Sequence, residues 1–373
     1  MTPALVVGAG PAGAVAALVL ARAGVHVRLI DRSEFPRDKL CGDTLNPGAL
    51  SILDRLGLGP RVRSRAIPIS GMLVTGPRAS VACDYPHGIA GAAILRRDLD
   101  AMLVDAAVAA GAEFMPSMRV LGPLTGIGTR VTGLRMGRRG ERMSAGVVIA
   151  ADGRRSRLAS GMGLTRFAAA PRRWAFGAYF SDVAGLTTRG EMHIRTNGYT
   201  GVAAVGGGIT NVCAVEELAG DRIPPDQVIA RAIAGDPQLR HRFARARQVS
   251  PVSSLGPLAV EASAAGCAGL LLAGDAAGFV DPMTGDGLRF ALRGGELAAE
   301  AALFELQAGI PAYKRLDEAR RREFAGKWRV NRALRMLVGS PRAVRIAAAI
   351  SGLWPQPVRH LVGIAGDVPL ARS

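Results

Sequence analysis

The chain opens with an apolar run, a glycine cluster and a second apolar run. Ala4-Leu5-Val6-Val7 has the unbroken aliphatic character of a strand buried on both faces. Ala14 to Ala23 is a helix of small and aliphatic residues, closed by Gly24. Val25 to Ile30 is a second strand, with Asp31 at its end. Ala49 to Leu56 is a short amphipathic helix closed by Gly57, and Ile67 to Val81 alternates apolar and polar positions with the period of strands. Leu99, Met102, Leu103 and Ala106 recur at helical spacing in a segment that starts near Arg96 and ends at Gly111. Phe114 to Leu121 and Val131 to Met136 read as strands, and Val147 to Ala151 as a buried one. Trp174 to Val215 is strand-like, interrupted by glycines, and Pro225 to Arg247 is helical. Gly269 to Ala273 is another buried strand, and Gly285-Asp286-Gly287 starts a helix running to about Leu306. The remainder is helical, broken at Gly339-Ser340-Pro341 and Pro355-Gln356-Pro357.

Between the first two strands lies Gly8-Ala9-Gly10-Pro11-Ala12-Gly13. This places a Gly-x-Gly-x-x-Gly turn between strand and helix, with an acid about 20 residues further on, the pattern of a dinucleotide-binding βαβ unit. Gly8 permits the tight turn, Gly10 lets the backbone approach a pyrophosphate, and Gly13 lets the helix pack close to the strand. The helix N-terminus offers N–H groups and a positive dipole to the phosphates. Asp31 can accept hydrogen bonds from ribose hydroxyls, which favours a cofactor without a 2′-phosphate. Thr2 to Ala21 carries no charge in 20 residues, the length of a membrane span. No basic residue precedes it, and the cofactor turn accounts for its glycines where a signal peptide does not.

Composition narrows the class. Of 373 residues, 49% are hydrophobic and 21% charged, which gives an ample globular core. Cys41, Cys83, Cys213 and Cys267 are scattered, and the five histidines show no ligand spacing, so neither a disulfide framework nor a metal site is expected. Net charge is +17. Pro311 to Ser373 holds 13 basic residues against four acidic ones. Such a surface reads as a solvated helical face or as one that meets an anionic membrane, and not as a nucleic-acid site, because no aromatic platform or nucleic-acid module accompanies it. Val338 to Trp354 places arginines beside an aliphatic stripe at helical spacing, the pattern of an interfacial helix. The expected location is the cytoplasm, with the tail peripheral to the inner face of the membrane.

Four motifs then occur in fixed order: Gly8-x-Gly10-x-x-Gly13, Arg96-x-x-Leu99-Asp100, Asp152-Gly153-x-x-Ser156 and Gly274-Asp275. Together they resemble the FAD-dependent oxidoreductases with the p-hydroxybenzoate hydroxylase fold. Phe35-Pro36-Arg37-Asp38-Lys39-Leu40-Cys41-Gly42-Asp43 and Asp281-Pro282-Met283-Thr284-Gly285-Asp286-Gly287 are most similar to the geranylgeranyl reductases. The resemblance implies an α/β fold: a Rossmann-type, glutathione-reductase-like FAD domain, with an inserted β-sheet substrate domain and a helical C-terminal tail. The FAD domain is expected to be discontinuous, from residues 1–66, 91–165 and 266–310. Residues 67–90 and 166–265 form the substrate sheet, and residues 311–373 the tail.

The resemblance also implies the cofactor contacts. Pro11 and Ala12 join the three glycines at the pyrophosphate, and Arg32 joins Asp31. Val120, Asp152, Gly274 and Asp275 complete the binding site, with Gly285, Gly287 and Leu288 at the flavin ring. A helix starting at Gly287 stabilises negative charge at the pyrimidine side of a reduced flavin. Arg96 opens a helix, where the dipole disfavours a cation, and a phosphate or ribityl partner would explain it. Cys41 is placed near the reacting face of the flavin as the candidate catalytic residue, its thiol pKa lowered by Arg37 and Lys39.

Tyr199 is the candidate substrate contact. The Tyr-x-Trp-x-Phe-Pro stretch of the geranylgeranyl reductases reads here as Tyr199-Thr200-Gly201-Val202-Ala203-Ala204, which gives a wider or differently shaped pocket. No second Gly-x-Gly-x-x-Gly unit is present, so NAD(P)H would bind transiently as electron donor. The expected reaction is reduction of a carbon–carbon double bond in a hydrophobic small-molecule substrate. The alternative is a monooxygenase hydroxylating an aromatic or polyketide-like substrate. A flavin-binding partner protein without turnover is the remaining class.

Overall fold

The computed structural model describes residues 3–76, 79–169, 173–195, 198–217, 223–279 and 285–338, with Met283, Gly363 and Gly366. The chain has a mixed α/β fold. A six-stranded sheet runs in the order Gly266–Cys267, Leu270–Leu272, Val147–Ala150, Ala4–Val7, Val27–Ile30, Glu113–Met115. From Leu270–Leu272 onward it is parallel, with Ala4 opposite both Val147 and Val27. The first strand is buried at all four positions because both faces are covered. One face carries the helices Pro11–Arg22, Arg96–Ala109 and Gly287–Ala308. Gly295 sets how closely the first and last of these pack, since a Cβ there would lie 2.3 Å from the Ala12 carbonyl oxygen. The other face meets the sheet Val120–Thr125, Val131–Met136, Glu141–Ser144, with Leu5, Val7 and Val148 sharing a core with Val131 and Leu134.

The second large sheet is antiparallel around the strands Arg173–Ser181, Ile209–Glu217, Gly198–Gly206 and Arg189–Arg195. Alternation gives its two faces different chemistry. Phe176, Ala178, Phe180, Val202, Val212 and Ala214 pack on Val228, Ile229 and Leu239 from the helices Pro225–Ala234 and Pro237–Arg242. The opposite face presents Ala175, Ile194, Tyr199 and Val215, which cluster with Met283 and Leu258 and with the half-buried Leu40 and Cys213.

On the helix-facing side, the strand Arg189–Arg195 carries charge into the interior. Glu191 accepts two hydrogen bonds from Arg242, at 2.6 and 2.9 Å, and pairs with His193 Nε2 at 3.0 Å. His193 Nδ1 lies 2.9 Å from the Thr75 hydroxyl. Arg195 bonds Asp236, which also caps the helix Pro237–Arg242 by accepting the N–H groups of Gln238 and Leu239.

Two expected elements divide. Pro225 to Arg247 is two helices, not one, because Asp236-Pro237 supplies an N-cap and a first-turn proline that start a new helix. Phe114 to Leu121 splits into Glu113–Met115 and Val120–Thr125 in different sheets, turning at Ser117 with φ +56°. Tyr313–Val338 of the tail forms a helix. The interfacial pattern expected after Val338 lies outside the described residues.

Candidate active site

Three loops converge at the carboxyl ends of the parallel strands Ala4–Val7, Val147–Ala150 and Leu270–Leu272, where open α/β sheets bind ligands. In the first, Gly13 is required by the turn itself, since a Cβ there would lie 1.8 Å from the Gly8 carbonyl oxygen. Gly8 has φ +96°, and its Cβ would lie 2.3 Å from the Ala151 oxygen. Gly10 differs: a Cβ there would meet only the Arg37 guanidinium, at 3.7 Å. It faces open space, the cradle that a pyrophosphate enters and a side chain would fill. Pro11 and Ala12 follow at the start of the buried helix, and Gly274 closes over them, its Cβ position 2.9 Å from that of Ala12.

The acids around this cradle split into two kinds. Asp31 is engaged with the protein: it accepts the Ala9 N–H at 2.8 Å and the Ser33 N–H at 2.9 Å, fixing the glycine turn to the following loop. Arg32, beside it, is exposed. Asp152 accepts the Arg157 N–H at 3.0 Å with one oxygen, while its other oxygen is buried without a partner. Asp275 accepts no hydrogen bond from the described residues; burial raises its pKa, against Arg154, Lys39 and Arg96. An open glycine cradle, an orphan carboxylate oxygen and a second unbonded carboxylate fit a group that brings phosphates and hydroxyl donors, as FAD does. Val120 is packed in the core behind the strands rather than on the open side.

Arg96 is placed otherwise than its position at a helix start suggested. It bonds Asp100, one turn on, through Nε at 2.8 Å and an Nη at 2.9 Å, so a neighbouring acid already balances its charge. Cys41 is likewise corrected. Burial and the Asp43 charge push its thiol pKa up rather than down, against the Arg96 charge. At the helix Gly287–Ala308, the Asp286 side chain does not cap the first turn. It turns instead to Asn46 Nδ2 and to Lys327 Nζ, both at 2.9 Å. Leu288 is buried just inside that turn. Tyr199 stands in the apolar face opposite the Cys41 loop.

Sequence reasoning missed the residue next to this thiol. Asp43 is fully buried and has φ +54°, unusual for a non-glycine residue. One oxygen accepts the Arg96 N–H at 3.0 Å; the other accepts the Tyr179 hydroxyl at 2.7 Å and Asn211 Nδ2 at 2.6 Å. Burial pushes its pKa up to about 6, against these hydrogen bonds. Asn211 also donates to the Cys41 carbonyl at 2.9 Å. The available signal was an asparagine and a tyrosine in two strands that otherwise read as apolar.

Residues 1–301 match the family described as FAD binding domain, FAD_binding_3. The chain is 34% identical over 310 residues to a menaquinone reductase of Mycobacterium tuberculosis, covering 79% of this chain and 75% of the relative. It is 29% identical over 330 residues to digeranylgeranylglycerophospholipid reductase 1 of Methanothermobacter thermautotrophicus, covering 85% of this chain and 81% of the relative. Among solved structures, the flavin-dependent brominase Bmp2 superposes with a TM-score of 0.86 at 20% identity, covering 98% of this chain and 94% of that one.

Proposed function

The chain belongs to the FAD-binding domain family and is an FAD-dependent oxidoreductase, and from that premise we propose that it reduces a carbon–carbon double bond in a hydrophobic, isoprenoid-like substrate. The observation that carries this reading is the apolar sheet face opposite the Cys41 loop, where Ile194, Tyr199 and Val215 meet Leu40 and Met283. The relatives that are 34% and 29% identical over the aligned residues are named menaquinone reductase and digeranylgeranylglycerophospholipid reductase, which supports the same substrate class. NAD(P)H is the proposed transient donor. FAD, when bound and reduced by NAD(P)H, would supply a hydride to one carbon of the double bond.

This chain supplies the rest. Gly10 admits the pyrophosphate, and Asp152 and Asp275 present acceptors to hydroxyl groups. Because burial raises its pKa, Cys41 stays a thiol near neutral pH and holds a proton at Sγ. It gives that proton to the second carbon, so that NAD(P)H is oxidised as the double bond becomes a single one. The deciding experiment is anaerobic turnover of NADH or NADPH with menaquinone and with geranylgeranyl lipids. A mass gain of two hydrogens without oxygen is expected. Product that forms only with oxygen and gains an oxygen atom makes the enzyme a monooxygenase instead.

A lipid substrate would be met at a bilayer. The helix Tyr313–Val338 exposes Lys314, Arg315, Arg321, Arg322 and Arg329, with Trp328 40% exposed beside them. Cations around a tryptophan suit the interface of an anionic leaflet. No helix among the described residues is long and apolar enough to cross a membrane. Peripheral binding is therefore expected: co-sedimentation with phosphatidylserine vesicles at low salt, lost as salt screens the charge. Protein that stays in the supernatant at low salt would remove this part of the proposal.

A further inference from the structure

We propose that Asp43 is a positioning residue, whose ionised carboxylate holds the Cys41 loop against the antiparallel sheet and so sets both the place and the reactivity of the Cys41 thiol. Three segments distant in sequence meet at this one side chain: the N-terminus of the helix Arg96–Ala109 through the Arg96 N–H, and two strands of the sheet through Tyr179 and Asn211. Tyr179 and Asn211 are directly opposite each other across the strand pair, so their polar groups reach Asp43 side by side. Asn211 divides its amide between the Asp43 carboxylate and the Cys41 carbonyl, which ties the hold on Asp43 to the backbone of the cysteine. The backbone adds one further bond, from the Ile94 N–H to the Asp43 carbonyl at 2.9 Å.

All three donors to the carboxylate are best matched by an ionised acceptor. A protonated Asp43 has one oxygen committed as a donor, which faces groups that themselves donate. The groups facing the site are Arg96, Cys41, Cys213, Tyr179 and Asn211. Arg96 is the cation among them, and it is committed to Asp100. Asp43 therefore sits close to its titration point near pH 6, and its negative charge is one cause of the raised Cys41 pKa. As pH falls through about 6, one oxygen of the carboxyl turns from acceptor to donor and the thiol loses the neighbouring anion.

The inference uses the place of Cys41 but needs no turnover, so it can fail separately from the proposed reductase reading. The test is the rate of N-ethylmaleimide labelling of Cys41 in FAD-loaded protein from pH 5 to 8, resolved by peptide mass spectrometry with Cys267 as internal control. Asp43→Asn keeps the side chain's shape, removes its charge and sets its amide against the Asn211 amide. Cys41 of this variant is expected to label about tenfold faster than wild type at pH 7.5, the change that one pKa unit in a thiol produces. The ratio should fall toward one at pH 5, where Asp43 of the wild type is itself protonated. Cys267, in the other sheet, should not change. Tyr179→Phe keeps the charge and removes one donor, so the break in its Cys41 labelling profile should move to higher pH; this variant carries the test if the first does not fold. Equal acceleration of Cys41 and Cys267, a ratio independent of pH, or an unmoved break in Tyr179→Phe would overturn the proposal.

Discussion

Gly10→Val will give a folded, colourless protein, whereas Gly13→Ala will give one that is colourless because its cofactor turn has come apart. Both lose FAD, but for different reasons. At Gly10 the backbone is extended, with φ −72° and ψ −177°, a conformation that valine adopts readily. Nothing but a flexible arginine lies near the new Cβ, so the free protein is undisturbed. The branched side chain then occupies the space a pyrophosphate must enter. At Gly13 one methyl group would stand 1.8 Å from the carbonyl oxygen of Gly8, part of the same turn. The helix Pro11–Arg22 must move off the central strand to relieve this. FAD affinity should fall by at least about a hundredfold in either variant, roughly 2.7 kcal/mol. Flavin absorbance after desalting measures it, and thermal unfolding of the stripped proteins separates the two. Wild-type FAD occupancy in Gly10→Val would contradict the cradle assignment.

Arg242→Ala is expected to be the most destabilising single substitution on the outer side of the antiparallel sheet, at about 3–5 kcal/mol. It removes both hydrogen bonds from a Glu191 side chain that is 1% exposed. Burial opposes the Glu191 charge, and hydrogen bonds from His193 and Arg242 reverse that and hold its pKa below the usual carboxylate range. A depressed acid contributes stability above its unfolded pKa, near 4.3, and that contribution is lost as pH falls through the folded value. The gap between variant and wild type should therefore be widest at neutral pH and narrow below about pH 4. Urea unfolding at pH 7 and pH 4 checks both parts. Arg242→Lys should recover only part of the loss, because an ammonium cannot reproduce the paired bonds.

What the sequence disclosed follows from the range of its signals. The glycine turn, its flanking strands and Asp31 lie within 31 residues, and local spacing made them readable, along with the family and its cofactor. The buried strands at Val147 and Leu270 were readable for the same reason, being short aliphatic runs. The polar contacts of the site were not. Asp43 meets partners 136 and 168 residues away, and no local period relates an aspartate in a loop to a tyrosine and an asparagine in two strands. Charge was misjudged by the same route. Arg37 and Lys39 are close to Cys41 in sequence, but burial and an adjacent carboxylate decide the thiol's behaviour. The Arg96–Asp100 pair spans one helical turn, yet their spacing within the motif does not say that the two side chains bond each other.

The two-faced strand Arg189–Arg195 has a consequence for how this protein can change over generations. Glu191, His193 and Arg195 anchor the sheet to its covering helices, while Met192 and Ile194 between them face the apolar lining. The residues that keep the sheet in place and those that line the apolar face proposed to meet the substrate thus alternate along the strand yet touch different neighbours. Substitutions on the lining side can drift toward new molecules without loosening the anchor, and substitutions on the anchored side are removed by instability before they can alter specificity. Gly201, directly opposite Met192 and with no atom within 3.8 Å of where a side chain would begin, is the most permissive place for such drift.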